Sequence, residues 1–131
     1  MAYPNQYRYT KEHEWIQVDG RVGTIGITDH AQQALGDVVF VELPKVGAAI
    51  QAGKSFGTVE SVKAVSDVYS PVNGTVTEVN QELLTAPEKL NADAHSAWLI
   101  KADLTNPAEV DGLLSATDYE KFLQQEEPAA D

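Results

Sequence analysis

The chain has 131 residues, a length suited to one domain, and its 43% hydrophobic content excludes wholesale disorder. Twenty Asp and Glu against nine Lys and Arg give a formal charge of −11, which repels nucleic acid and anionic lipid and could steer basic partners. There is no cysteine, so disulfides, thiolate metal sites and a cysteine nucleophile are excluded, and no apolar run reaches the roughly 20 residues of a membrane span.

Short strands dominate. Glu14 to Val18 leads into Asp19-Gly20, a hairpin turn pair, and Arg21 to Ile27 is the return strand. Thr28 reads as an N-cap for a short helix over Asp29 to Leu35, with Gly36 past its end. Asp37 to Leu43 is the next strand, stopped by Pro44, and Val46 to Gly53 is a loop that could hold a short strand. Strands over Ser55 to Glu60 and Val65 to Tyr69 follow, then a turn at Pro71 to Gly74, a strand over Thr75 to Asn80 and a last one over Ala97 to Ala102. Asn106-Pro107 with Glu109 starts a helical piece. Ser115 to Asp118 reads as a capping box with Asp in place of Glu, followed by Tyr119, Phe122 and Leu123 at helical spacing, set to pack on the sheet. Residues 126–131 look like a frayed tail. Gly57-Thr58-Val59-Glu60 and Gly74-Thr75-Val76-Thr77-Glu78 open their strands alike, which would suit two similar half-sheets packed face to face.

One lysine, Lys63, stands alone in Val59 to Tyr69. With Lys63 and Ala64 as the centre of a two-residue turn, Val62 pairs with Val65, Ser61 with Ser66, Glu60 with Asp67 and Val59 with Val68. That register separates valine pairs from polar pairs and projects Lys63 into solvent. An amine with an ordinary pKa of about 10.4 is a poor nucleophile near neutrality, and no basic cluster surrounds this one, so direct catalysis by Lys63 is disfavoured. Two readings are left: a solvated charge without a task, or an attachment point that another enzyme converts to an amide.

The segment Glu60 to Gly74 resembles the lipoyl-lysine segment of the glycine cleavage system H protein family. Tyr9 to Trp15 is similar to that family's opening, Gly26 to Gln32 and Leu35-Gly36-Asp37 to its helix region, and Val38 to Pro44, Trp98 to Lys101 and Asp118-Tyr119 continue the likeness over nearly the whole chain. The resemblance implies a mostly β fold, a barrel-sandwich hybrid: a flattened barrel of two small antiparallel sheets with the short helix near 29–35 and a helical C-terminus. It implies one lipoyl-carrier domain over 1–131, non-catalytic, with lipoic acid joined as an amide to Lys63. The arm would take an aminomethyl group from glycine decarboxylase, a pyridoxal-phosphate enzyme, and present it to aminomethyltransferase. Dihydrolipoyl dehydrogenase would reoxidise it, and a lipoate-attaching enzyme would install it, on a monomeric carrier.

A carrier of a cationic amine benefits from a cleft that limits water and offers acids. Glu14 and Asp67 are the first candidates for that cleft; Glu12 and Glu60 are the others, with Glu60 and Asp67 expected to face each other across the hairpin. Ala34 offers no polar group there. His13, His30 and His95 lie on different segments without close ligand spacing, so no metal site is expected; Trp15 and Trp98 are expected in the core or at its margin. The stretch Asn91 to Ala97 departs from the Pro-Tyr-Gly-like sequence usual in the family and is expected to be an exposed loop.

Met1 to Tyr9 has neither the regions of a signal peptide nor the Arg/Ser richness of a transit peptide, so a cytoplasmic protein is expected, with a mature mitochondrial protein as the alternative. The rival functions are a biotin carrier domain, a lipoyl domain of a 2-oxoacid dehydrogenase, a lipoyl relay protein that donates lipoate to other complexes, and an unmodified acidic β-protein. Biotin carriers usually flank their lysine with methionine, whereas Val62 and Ala64 stand here. The 2-oxoacid dehydrogenase domains are shorter and usually precede Ala/Pro-rich linkers, and none is present.

Overall fold

A computed structural model describes residues 3–126. The strands are β1 (Arg8–Tyr9), β2 (Glu14–Asp19), β3 (Val22–Ile27), β4 (Val38–Glu42), β5 (Ala49–Ile50), β6 (Ser55–Ser61), β7 (Val65–Tyr69), β8 (Gly74–Val79) and β9 (Ile100–Leu104). The helices are α1 (Asp29–Leu35), α2 (Glu82–Thr85), α3 (Lys89–Ala92) and α4 (Ala116–Glu126), with a 3-10 helix at Pro107–Gly112. One sheet has six strands in the order β1-β2-β3-β9-β8-β5; the other has three, β4-β6-β7. The named strand pairs are all antiparallel. The mostly β, two-sheet architecture is therefore the expected one, but neither sheet closes into a barrel, and they are unequal rather than two similar halves.

The core lies between the sheets. Ile16, Ile25, Val41, Val59, Val68, Val76, Ile100 and Leu104 alternate inward from both and bury almost completely. A second, aromatic cluster joins Tyr9, Trp15 and Tyr119, with Phe122 and Leu123 packed against it. The face of α4 read from the sequence thus seats on the β1–β2 end of the larger sheet. Ser115 Oγ accepts from the Asp118 N–H at 3.1 Å, as the capping pattern requires. Of the expected tail, Glu126 ends α4, and residues 127–131 lie outside the described residues.

The two glycines of the faint repeat share a physical cause. A side chain at Gly57 would run into the Glu42 carbonyl, and one at Gly74 into the Asp103 carbonyl. Each strand that follows bulges near its glycine, between Ser55 and Gly57 and between Val76 and Glu78.

Several boundaries differ from expectation. Asp19 pairs with Val22, so Gly20 (φ +65°) and Arg21 form the first hairpin turn rather than Asp19 and Gly20. The last strand begins at Ile100 rather than Ala97, and the strand after the turn runs from Gly74 to Val79. The segment Asn91 to Ala97 is exposed only in part, at Ala92, Asp93 and Ser96. Ala94 is buried and its carbonyl accepts from Trp15 Nε1 at 3.1 Å, while His95 Nε2 accepts from the Asp29 N–H at 3.1 Å. Asn91 Oδ1 accepts from the Val38 N–H at 2.8 Å, and its Nδ2 donates to Gln32 Oε1 at 2.9 Å and Gly36 O at 2.8 Å. This stretch is a strut that fixes the end of α1 against the start of β4.

Candidate functional site

The hairpin β6–β7 carries Lys63, but its register differs from the expected one. Glu60 pairs with Val65, Val59 with Ser66, Thr58 with Asp67 and Gly57 with Val68. The Ser61 N–H donates to Ala64 O at 2.7 Å, so Val62 and Lys63, not Lys63 and Ala64, are the central turn residues. The deciding forces are polar. Ser61 Oγ accepts from the N–H groups of Lys63 (3.3 Å) and Ala64 (3.1 Å), and the Val62 N–H donates to Asp37 O at 3.0 Å. The turn is thereby tied to the α1–β4 connection. Glu60 and Asp67 do not face each other, and the expected Val62–Val65 and Val59–Val68 pairs do not form.

Lys63 is exposed, as the sequence requires of an attachment point, and among the described residues no ion pair holds it. Its side chain runs toward the end of α1: a Cβ built on Gly36 (φ +81°) would lie 3.6 Å from Lys63 Cε. Helix α1 ends there by the predicted means. Thr28 Oγ1 accepts from the Ala31 N–H at 3.3 Å at its start, and the Gly36 N–H donates back to Gln32 O at 3.0 Å.

Beside this turn a cleft of about 320 Å³ opens between the two sheets. One wall is α1, through Ala31, Ala34 and Leu35; another is the chain entering β2, through Glu12, His13 and Glu14; Ile27 and Val59 line it deeper, and the β7 side runs from Ala64 to Val68. The lining is largely apolar, and its volume falls within the range of small-ligand sites.

β7 is the edge strand of the smaller sheet, and the cleft follows its free edge. Peptide groups alternate along a strand. The Ala64 carbonyl bonds back to β6 while the Tyr69 N–H turns away to Glu14, so the N–H and C=O groups of Val65 and Asp67 turn the same way as Tyr69, toward the cleft. The Asp67 side chain stands on the other face from the buried Val68. There it is opposite Thr58, and Ser55 Oγ donates to Asp67 Oδ1 at 3.4 Å. Asp67 thus meets the cleft through its backbone, not its carboxylate. Glu60, on the outer face between Phe40 and Val65, does not line the cleft at all.

Of the four candidate acids, Glu14 is the one the fold buries, at 2% exposure. Its Oε1 accepts from Thr10 Oγ1 at 2.6 Å and its Oε2 from the Tyr69 N–H at 3.0 Å, which joins the larger sheet to β7. Burial pushes its pKa up to about 7, against the lowering pull of the Thr10 and Tyr69 donors; nearby Glu12 adds to the rise. Glu14 can therefore hold or release a proton near neutrality. Glu12 lines the same cleft and is exposed.

The chain reaches Glu14 through a tight turn in which His13 takes a left-handed conformation (φ 72°) and the Thr10 N–H donates to Glu14 O at 3.0 Å. His13 Nδ1 shares a hydrogen bond with Tyr119 Oη at 2.7 Å, and that hydroxyl shares another with Thr28 Oγ1 at 2.8 Å. So α4 pins both the turn before β2 and the start of α1. His13 and His30, separate in sequence, bring their rings 4.4 Å apart. Sequence reasoning missed Thr10 and the Tyr69 N–H as partners of Glu14; neither leaves a local signal.

The family model described as Glycine cleavage H-protein matches residues 7–126. The chain is 67% identical over 126 residues to a glycine cleavage system H protein of Koribacter versatilis, covering 96% of this chain and 98% of that one. It is 64% identical over 126 residues to one of Acidobacterium capsulatum, with the same coverage. Among solved structures, a glycine cleavage system H protein from Mycobacterium marinum superposes with a TM-score of 0.82 at 38% identity, covering 95% of this chain and 98% of that one.

Proposed function

The chain belongs to the glycine cleavage H-protein family, the non-catalytic lipoyl carriers of the glycine cleavage system, and from that premise we propose that Lys63 is the residue that carries the lipoyl group. Members of the family hold lipoate covalently on a lysine and work with the other components of the system. The observation that carries the assignment is the placement of Lys63. It stands at the second central position of a tethered turn, exposed, with its side chain running to Gly36, the residue after Leu35 of the cleft wall.

The residues present fit the group. Amide formation removes the one charge that would resist entry of this side chain into the cleft, and the Ala31, Ala34, Leu35, Ile27 and Val59 lining suits a methylene chain. When bound, the dithiolane supplies two sulfurs that can accept a one-carbon amine and return to a disulfide. The chain's own part is to display and shelter. The Ser61 and Asp37 hydrogen bonds hold the turn rigid, so the arm swings from a fixed base. Glu14, with the carbonyls of Val65 and Asp67, offers acceptors for a cationic amine at a place from which the walls keep most water. An ammonium beside Glu14 favours its ionised form, so capture of cargo and release of the Glu14 proton are linked.

The partners in this reading are glycine decarboxylase, aminomethyltransferase, dihydrolipoyl dehydrogenase and a lipoate-attaching enzyme, each meeting a monomeric carrier formed by residues 1–131. The bacterial relatives support a place in a bacterial cytoplasm, and no described helix is long and apolar enough to cross a membrane. Peptide mapping of protein isolated from cells with active lipoylation tests the attachment. A lipoyl adduct on the peptide containing Lys63 is the expected result; an adduct elsewhere, a biotin adduct or none contradicts it.

A further inference from the structure

On the outside of the smaller sheet large apolar side chains stand unburied around the Lys63 turn; of these residues Val65 also borders the cleft, through its backbone. Register places Phe40, Glu60 and Val65 in one row across β4, β6 and β7. Phe40 is 53% and Val65 66% exposed; Val39, in the bulge beside Phe40, is 49% and Val62, in the turn itself, 70%. Phe40 and Val65 on this face, with Val39 and Val62 near them in the bulge and the turn, are a concentration that the surface valines Val22 and Val46 do not make. Acids frame them. Within residues 37–42 and 55–67 the ionisable side chains are Asp37, Glu42, Glu60 and Asp67, with Lys63 as the single cation.

From this placement we infer that the outer face centred on Phe40 and Val65 is the docking surface for the enzyme that acylates Lys63, an enzyme whose complementary surface is an apolar socket ringed by lysine and arginine. The inference rests on the reading of Lys63 as the attachment point. An acylating enzyme must find one amine among the lysines of a chain and cannot use an arm not yet attached. It must read the surroundings of the turn. The cleft lies on the inner side of the hairpin and receives the arm afterwards, whereas the outer face is open before and after modification. The acid frame selects a basic partner and speeds encounter, and the apolar centre supplies affinity that a surface of charges alone would not. In the step itself the Lys63 nitrogen attacks the acyl carbon of an acyl adenylate made from lipoate and ATP. The C–N bond forms, the C–O bond to phosphate breaks and releases AMP, and the former ammonium gives up two protons to water; nothing is oxidised or reduced.

The test uses the full chain bearing an unmodified Lys63, a bacterial lipoate–protein ligase, ATP and lipoate, with acyl transfer followed by intact mass and peptide mapping. Phe40→Ser, Val65→Ser and the double variant should lower kcat/KM, by about tenfold or more for the double, chiefly through KM. Val46→Ser, at an exposed site away from the turn, should not. Glu42→Lys should lower kcat/KM and flatten its decline with added salt. Acylation of Lys63 by a small activated ester should proceed equally in all variants, separating docking from exposure of the amine. Unchanged melting temperatures keep folding out of the comparison, and Val65→Ser alone, at a mostly exposed site, serves if Phe40→Ser is unstable. A wild-type chain acylated on Lys63 whose double variant keeps full kcat/KM overturns the docking proposal alone. A wild-type chain that takes no acyl group on Lys63 overturns the attachment reading and the docking proposal with it.

Discussion

Glu14→Gln isolates the energetic consequence of burying one carboxylate in the cleft wall. Glutamine preserves the geometry of the protonated acid: its carbonyl oxygen can accept from the Tyr69 N–H, and its amide can donate to Thr10 Oγ1, which already accepts from the Glu14 N–H at 3.1 Å. The folded chain holds the Glu14 proton up to about pH 7, whereas an unfolded chain releases it near 4.5. Between those values the folded state binds more protons, so this contribution to stability is complete below about pH 4.5 and is lost as pH rises through about 7. The full loss corresponds to about 3 kcal/mol, and the part falling between about pH 5 and pH 8 to roughly 2–3 kcal/mol. Urea unfolding of wild type and Glu14→Gln at both pH values measures it, the difference between proteins removing every other titrating group. The variant should match wild type at the acid end and exceed its stability at the alkaline end by that amount. A stability difference independent of pH would refute the burial argument.

Other substitutions test other links. Asn91→Ala removes three hydrogen bonds that join α1 to β4 and should cost about 2–4 kcal/mol in chemical denaturation, while amide exchange at Val62, whose N–H bonds to Asp37 O, accelerates. Burial holds the His95 pKa below its ordinary value against the raising pull of Asp29 and Asp93, and its neutral Nε2 must accept from the start of α1. Stability from His95 is thus present above about pH 6.5 and lost as pH falls toward its depressed value; an imidazole NMR titration at or above 6.5 contradicts this. Ala34→Phe fills the cleft beside Leu35 and should raise the hydrolysis rate of cargo on the arm toward that of a free arm, with little change in melting temperature. An unchanged rate would remove the cleft from the sheltering role.

Much of this was legible because local rules carried it. Thr28 and Gly36 mark both ends of α1, and Ser115 marks the start of α4, through hydrogen bonds spanning three or four residues. Lys63 stood out as a lone cation, and the resemblance to a family gave it a role. The hairpin register was not legible. Valine alternation favoured a turn at Lys63-Ala64, yet Ser61 Oγ and the Asp37 carbonyl, partners invisible to a pattern of apolar positions, favour one centred at Val62-Lys63. That slip set Glu60 opposite Val65 and Asp67 opposite Thr58, so the expected pair of facing acids does not form. Helices α2 and α3 have four residues each, too few to show a period. The polar run from Asn91 to Ser96 looked like solvent-facing loop because its side chains find partners far away in sequence: Asn91 reaches Gly36 and Val38, and His95 reaches Asp29. Glu14 lines the cleft it was a candidate for, but its burial depends on Thr10 and on an N–H from β7.

The central claim is that position 63 moors the working group. Reconstitution of glycine cleavage with partner enzymes and a carrier expressed under active lipoylation tests it most directly, comparing wild type with Lys63→Arg at equal, folded concentrations. Arginine keeps the charge and the turn but offers no amine to acylate. The account predicts one-carbon transfer with wild type and none above the carrier-free background with Lys63→Arg; transfer by the arginine protein at the wild-type rate would contradict it.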